Sequence, residues 1–264
     1  MAFNFVNLGK SVAVIKGGKL DKKIISLDTN EDDEDEFVKT FTKIELPTTS
    51  KFMQVPNNTV NRECCYIVGP SGSGKTTYTT NFIKEIQKKH KDFPVILFST
   101  LQDDFEDVKN LKRIRLDETL ISDPMSCTAE LADSIVVFDD IDCVKNKKVR
   151  EAIMSTLKEC LEIGRHVNTY VIMTNHLATN GPDTKPILNE ASSITFFPQA
   201  GTGRGLTYLL ESYCGLNKKD IEFIKTKKSR WCTFYKTYPM VLLFEREILT
   251  LDELTKQAKE FAKK

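Results

Sequence analysis

Residues 69 to 76 read Gly69-Pro70-Ser71-Gly72-Ser73-Gly74-Lys75-Thr76. They fill every fixed position of the pattern G-x-x-x-x-G-K-[ST]. Glycines in such a run let main-chain N–H groups turn inward around phosphate oxygens. A helix starting after it adds partial positive charge at its N-terminus. Lys75 can then reach the β- and γ-phosphates of a nucleoside triphosphate, and the Thr76 hydroxyl can ligate Mg2+. Gly69, Pro70, Ser71, Gly72, Ser73, Gly74, Lys75, Thr76 and Thr77 are the expected ATP-binding residues.

Hydrolysis also needs an acid. Ser134-Ile135-Val136-Val137-Phe138-Asp139-Asp140 ends an apolar run on two carboxylates. A strand next to the phosphate loop would bring Asp139 to the Mg2+, through water. Thr76 and Asp139 are thus the expected metal residues. Asp140 would orient or deprotonate the attacking water. It is one methylene shorter than the Glu common at this place, and Asp142 is the substitute. A third polar group is expected where Met173-Thr174-Asn175-His176 ends another strand, to sense the γ-phosphate or hold the water. Asn175 is favoured there over His176. Arg165, in Gly164-Arg165-His166, is the candidate to stabilise transition-state charge on a neighbouring subunit's ATP, with Arg204 as its competitor.

The elements that must position these groups are visible as periodicity. Apolar runs at 64–68, 95–98, 135–138, 169–173 and 193–197 read as strands. Residues 76–89 read as a helix with Phe82, Ile83 and Ile86 on one side. Residues 147–163 read as another, with Val149, Ile153, Leu157 and Leu161 aligned. Buried strands between helices predict an α/β fold with a mainly parallel central sheet. Ahead of them, 11–15 and 23–27 form a small N-terminal β-hairpin around Gly17-Gly18. An acidic run, Glu31 to Glu36, reads as an exposed linker. Behind the core, 206–213 and 219–225 read as helices, 231–235 and 241–244 as a hairpin, and 251–261 as a closing helix. The expected division is 1–49, 50–200 for the ATPase core, and 201–264 as a C-terminal hairpin and helix extension.

Composition excludes several classes. The chain has 264 residues, enough for one large domain with an appendage. No apolar run approaches the roughly 18 residues of a membrane helix, and no leader pattern opens the chain. The protein is expected to stay where it is made, in the cytoplasm, with no membrane partner. Seven cysteines with no C-x-x-C spacing argue against a disulfide framework or a zinc site. With 38 basic and 37 acidic side chains there is no global field for nucleic acid, only local patches. From residue 217 onward, 12 basic side chains face 7 acidic ones, densest at Lys225-Thr226-Lys227-Lys228-Ser229-Arg230. Lys145-Asn146-Lys147-Lys148 is a second basic candidate. Asn217-Lys218-Lys219-Asp220 matches the guanine pattern N-K-x-D but follows a helix end, so Asn217 reads as a helix cap.

The phosphate loop, Val137-Phe138-Asp139-Asp140, Gly164-Arg165-His166 and Val171-Ile172-Met173-Thr174-Asn175 together resemble the DNA-packaging ATPases of large nucleocytoplasmic DNA viruses, poxvirus-type members of the FtsK–HerA superfamily. The resemblance spans about residues 50 to 200. It implies a RecA-like, three-layer P-loop NTPase core, a homo-oligomeric ring, and translocation of double-stranded DNA into a capsid, with capsid proteins as partners. It also implies a place in the viral factory and the virion. Lys75, Thr76 and Asp139 fall on matching motif positions. Asp140 departs from the family's usual Glu, and Asn175 from its frequent Gln. The rival readings are an ATP-gated docking protein, a nucleotide kinase and a GTPase.

Overall fold

The computed structural model describes residues 2–28, 40–101, 104–200 and 203–263; the acidic run and Gly201-Thr202 lie outside them. The chain divides into two compact units, 61–192 and the combination of 1–60 with 193–264. The two terminal segments separated in the sequence reading, 1–49 and 201–264, therefore fall in one unit.

The first segment holds β1 (Ala2–Asn4), β2 (Lys10–Lys16), β3 (Ile24–Asp28), β4 (Lys43–Glu45) and β5 (Lys51–Gln54). The expected hairpin is present as β2 and β3, and Gly17 and Gly18 take the positive φ values (83° and 70°) that its connection requires. It is not a free hairpin. β1 pairs with β3 and β5 with β2, making a four-stranded antiparallel sheet.

The middle unit holds β6 (Cys64–Val68), α1 (Lys75–Lys89), β7 (Val95–Ser99), β8 (Leu111–Ile114), α2 (Thr119–Ser122), β9 (Ile135–Asp139), α3 (Lys147–Ile163), β10 (Tyr170–Asn175) and α4 (Lys185–Glu190). Its five strands are all parallel, in the order β6-β10-β9-β7-β8. This is the mainly parallel α/β fold of a P-loop NTPase. Phe82, Ile83 and Ile86 of α1, and Val149, Ile153, Leu157 and Leu161 of α3, are buried as their spacing predicts.

One expectation needs correction. The strand carrying Asp139 does not pair with the strand before the phosphate loop: β10, buried at all six positions, pairs with both and separates them. The apolar run at 193–197 forms β11 (Ser193–Phe196), which pairs antiparallel with β12 (Cys232–Tyr235). β8, a half-exposed Leu-Lys-Arg-Ile edge, adds a parallel strand that periodicity did not mark.

The remaining elements are α5 (Arg204–Cys214), α6 (Lys218–Thr226), β13 (Val241–Phe244), β14 (Glu247–Thr250) and α7 (Leu251–Phe261). β11, β12, β13, β14 and β4 form an antiparallel series. Phe3, Ile15, Ile25, Phe52, Leu243 and Ile248 belong to one apolar core in this unit. Asn217 caps α6 in a reciprocal box with Asp220, so the N-K-x-D run is helix-start chemistry.

Candidate active site

Parallel register brings four strand ends level. Thr174 of β10 stands opposite Asp139 of β9, Asn175 opposite Val68 of β6, and Ser99 of β7 opposite Asp139. The phosphate loop leaves β6 at this same carboxyl end. It is braced by Gly69 N–H donating to the Asn175 carbonyl (3.1 Å) and Ser73 N–H to the Pro70 carbonyl (3.2 Å). Gly72 and Gly74 have φ of 74° and 104°, a region that side-chain-bearing residues rarely adopt.

The loop fits a phosphate. Helix α1 starts at Lys75 with no side-chain cap and no acid in its first turn, so its first N–H groups await an external acceptor. Ser73 Oγ is buried in the loop with no partner. Pro70, Ser71, Gly72 and Thr77 are exposed around it.

Opposite lies the acid pair. Asp139 is buried; its Oδ1 accepts from Thr174 Oγ1 (2.7 Å) and its Oδ2 from Ser99 Oγ (2.9 Å). Burial pushes its carboxyl above the ordinary value, and the Asp140 charge adds to that. The Thr174 and Ser99 hydrogen bonds and the Lys75 charge oppose it. Asp140 sits just past the strand end in the left-handed region (φ 47°), which Asp tolerates better than most residues. Its N–H donates to the Thr174 carbonyl at 3.2 Å. Lys75 Nζ approaches Asp140 Oδ2 at 3.6 Å. His176 Nε2 approaches the same oxygen at 3.0 Å.

A buried carboxylate pair beside a hydroxyl-bearing helix start is a hard-oxygen donor set. Among the described residues no group of three or more His, Cys, Asp and Glu side chains could hold a metal. Mg2+ prefers such sparse sites, keeping waters and phosphate oxygens as its other ligands. Thr76 and Asp139 are the oxygen donors that would hold Mg2+ carried in with a nucleotide.

The other predicted residues lie elsewhere. The Asn175 side chain is not among the groups around Lys75. Strand alternation puts Thr174 on the face of Asp139 and Asn175 on the other. There Asn175 Nδ2 donates to Tyr66 Oη (3.3 Å), while Oδ1 is buried without a partner. Its carbonyl, not its side chain, serves the phosphate loop. Arg165 is exposed, next to His166 (3.2 Å), in the turn that precedes β10. It thus stands at the amino end of the strands, away from its own chain's Lys75. Arg204 is exposed at the start of α5. Asn146 caps α3, making Lys145 to Lys148 a helix start. Thr174, Ser99 and Tyr66 were missed. Only Thr174 left a signal, as a hydroxyl in the last turn of an apolar strand.

What this end of the sheet is shaped to hold is a nucleoside triphosphate, and the class so defined is the P-loop ATPases. Residues 65–198, just over half the chain, match the ATPase family associated with various cellular activities (AAA). The chain belongs to that family and is an ATPase. A Sputnik virophage protein described as uncharacterized protein V3 is 38% identical over 256 residues, covering 94% of this chain and 99% of its own. Among solved structures the chain is similar to B204, the DNA-packaging ATPase of Sulfolobus turreted icosahedral virus. That match has 16% identity, covers 70% of this chain and 98% of that one, and has a TM-score of 0.48. It is also similar to the pCW3 conjugation coupling protein TcpA, at 10% identity, 94% and 82% coverage and a TM-score of 0.46.

Proposed function

We propose that this ATPase is an oligomeric motor that translocates double-stranded DNA and packages a viral genome into its capsid. Residues 50–200 are the core that hydrolyses ATP. One observation carries the reading beyond hydrolysis. The Gly164-Arg165-His166 element of the family resemblance is exposed at the amino end of β10, while Lys75 and Asp140 gather at the carboxyl end. A triphosphate that Arg165 meets would be one on another copy, which supports a site completed by assembly.

In hydrolysis Lys75 leaves its internal acceptors for the phosphates. The loop N–H groups and the α1 N-terminus hold the phosphate charge. Asp140 takes the proton of the attacking water. Mg2+, held by Thr76 and Asp139, supplies charge neutralisation on the phosphates when bound. DNA would be gripped by its backbone phosphates without sequence readout, and exposed Lys228 and Arg230 ahead of β12 are the candidates. Lys227 is not available for this, since it pairs with Glu247 at 2.7 Å. Capsid proteins are the other expected partners, in the viral factory and the virion. Among the described residues no helix is long and apolar enough to cross a membrane.

The test is steady-state ATP hydrolysis with and without long double-stranded DNA, with solution mass recorded alongside. The motor reading expects an oligomer whose turnover rises several-fold with DNA. Unstimulated turnover from an assembled ring would overturn it in favour of an ATP-gated docking protein.

A further inference from the structure

Lys75 is 7% exposed and hydrogen-bonds inside the protein. Its Nζ donates to the Gly69 carbonyl at 3.0 Å and contacts His176 Nδ1 at 3.1 Å. Asp140 Oδ2 lies 3.6 Å from Nζ and 3.0 Å from His176 Nε2. The two ring nitrogens of a histidine point in nearly opposite directions. In-plane hydrogen bonds from both would hold their partners far apart. Partners only 3.6 Å apart cannot both lie in the ring plane. The ring therefore satisfies one of them well at a time.

The tautomer follows from the partners. An ammonium only donates, so a ring that holds Lys75 accepts at Nδ1 and carries its proton on Nε2, toward Asp140. The form that holds Lys75 is also the form that can donate to Asp140 after a turn of the ring. The backbone around His176 is fixed. Tyr66 Oη lies 3.0 Å from the Leu177 carbonyl and 3.2 Å from that of Ala178. On the other side the Asn175 carbonyl takes the Gly69 N–H. The histidine and the phosphate loop thus hang from one strand end.

We infer that His176 is a positioning residue that holds Lys75 and turns to Asp140 when a triphosphate takes the lysine. This rests on reading Lys75 as the phosphate lysine and Asp140 as the acid on water. Charged phosphate oxygens are better acceptors for Lys75 than a neutral imidazole. Once Nδ1 is vacated, the Nε2–H donates to Asp140 in the ring plane and fixes the carboxylate that must face the water. Nucleotide therefore binds against the His176 contact, because only the fraction with Lys75 released is competent.

Two quantities should move in opposite senses. In His176→Ala the dissociation constant for a non-hydrolysable ATP analogue should fall about threefold, and kcat should fall about tenfold. His176→Asn, whose amide can still donate to Asp140, should recover part of kcat. Tyr66→Phe, which frees the loop without touching the ring, should lower kcat by a smaller factor. An unchanged or raised dissociation constant in His176→Ala, or a kcat within twofold of the parent, overturns the inference. Lys75→Ala separates the failures. If it still turns over while folded, the reading of the site itself is wrong. If it is inactive while His176→Ala behaves as the parent, only the role of His176 is.

Discussion

The two ends of the parallel sheet use polar side chains in opposite ways. At the amino end they close the backbone. Arg62 donates to the Cys160 and Leu161 carbonyls at the end of α3 (3.2 and 3.0 Å). Ser134 and Thr169 both donate to the Leu131 carbonyl (2.6 and 2.7 Å). At the carboxyl end Lys75, Asp139, Asp140, Thr174 and His176 partner mainly one another. A buried polar group bonded to a carbonyl that would otherwise be orphaned stabilises the fold. A buried acid pair with one lysine and no helix cap leaves charge demand unmet, and that demand is what a nucleotide with its cation satisfies.

Exchanging Asp139 for Asn should separate these two kinds of group most strongly. Turnover should fall by at least about 100-fold, since the cation loses its protein carboxylate. Stability of the nucleotide-free protein should rise. The Asp139 carboxyl lies above its ordinary value in the fold, chiefly through burial. A raised carboxyl favours the fold at low pH, and that contribution is lost as pH rises through the raised value. At neutral pH the ionised group counts against the fold, and an amide still accepts from Thr174 without the charge. A melting temperature a few degrees higher in thermal denaturation is the expected outcome. A lower one would mean that Asp139 is a structural group like those at the opposite end.

Arg62→Ala makes the complementary change. Two carbonyls at the end of α3 lose a charged donor, a loss of about 2 kcal/mol, or roughly 5 °C in melting temperature for a chain of this size. Nucleotide affinity should stay within twofold of the parent. A large loss of affinity would show that the two ends are coupled.

The sequence made one end far more legible than the other. Each fixed position of the phosphate loop is there because chemistry demands that type at that spacing, so the local sequence alone reveals it. α1, α3 and β9 announce themselves by period, because burial of one face selects apolar residues there. β8 did not, since Leu111-Lys112-Arg113-Ile114 is half solvated at a sheet edge. β5 did not, because its four residues gain strand character only by pairing with β2, more than thirty residues earlier. Strand order was equally hidden: nothing local in β9 or β6 says that β10 will come between them. That order, with the register Thr174 opposite Asp139, decides which polar residue at the end of β10 meets the acids. The favoured Asn175 faces Tyr66, while Thr174 and His176 reach Asp139 and Asp140. Arg62 gave no signal, because an arginine ahead of a strand looks the same whether it caps a distant helix or points to water.

The smallest effect tests whether the amino end is as inert as its bonding implies. His90 Nε2 lies 3.2 Å from Tyr170 Oη, and its ring stacks on Phe93 at 4.4 Å. Burial and the neighbouring Lys89 charge hold its pKa below the ordinary histidine value, against a weaker pull from Asp133. A lowered histidine value means that the fold resists protonation. Its contribution to stability is complete above the ordinary value and is lost as pH falls below it toward the lowered one. The urea midpoint of the parent should therefore drop between pH 7.5 and 5.5 by slightly more than that of His90→Phe, which keeps the stacked ring and cannot titrate. The difference should be smaller than the Arg62→Ala effect. Equal slopes would mean that His90 is solvated enough to protonate freely. A larger difference would place at this end a charge-sensitive group of the kind that otherwise gathers around Lys75.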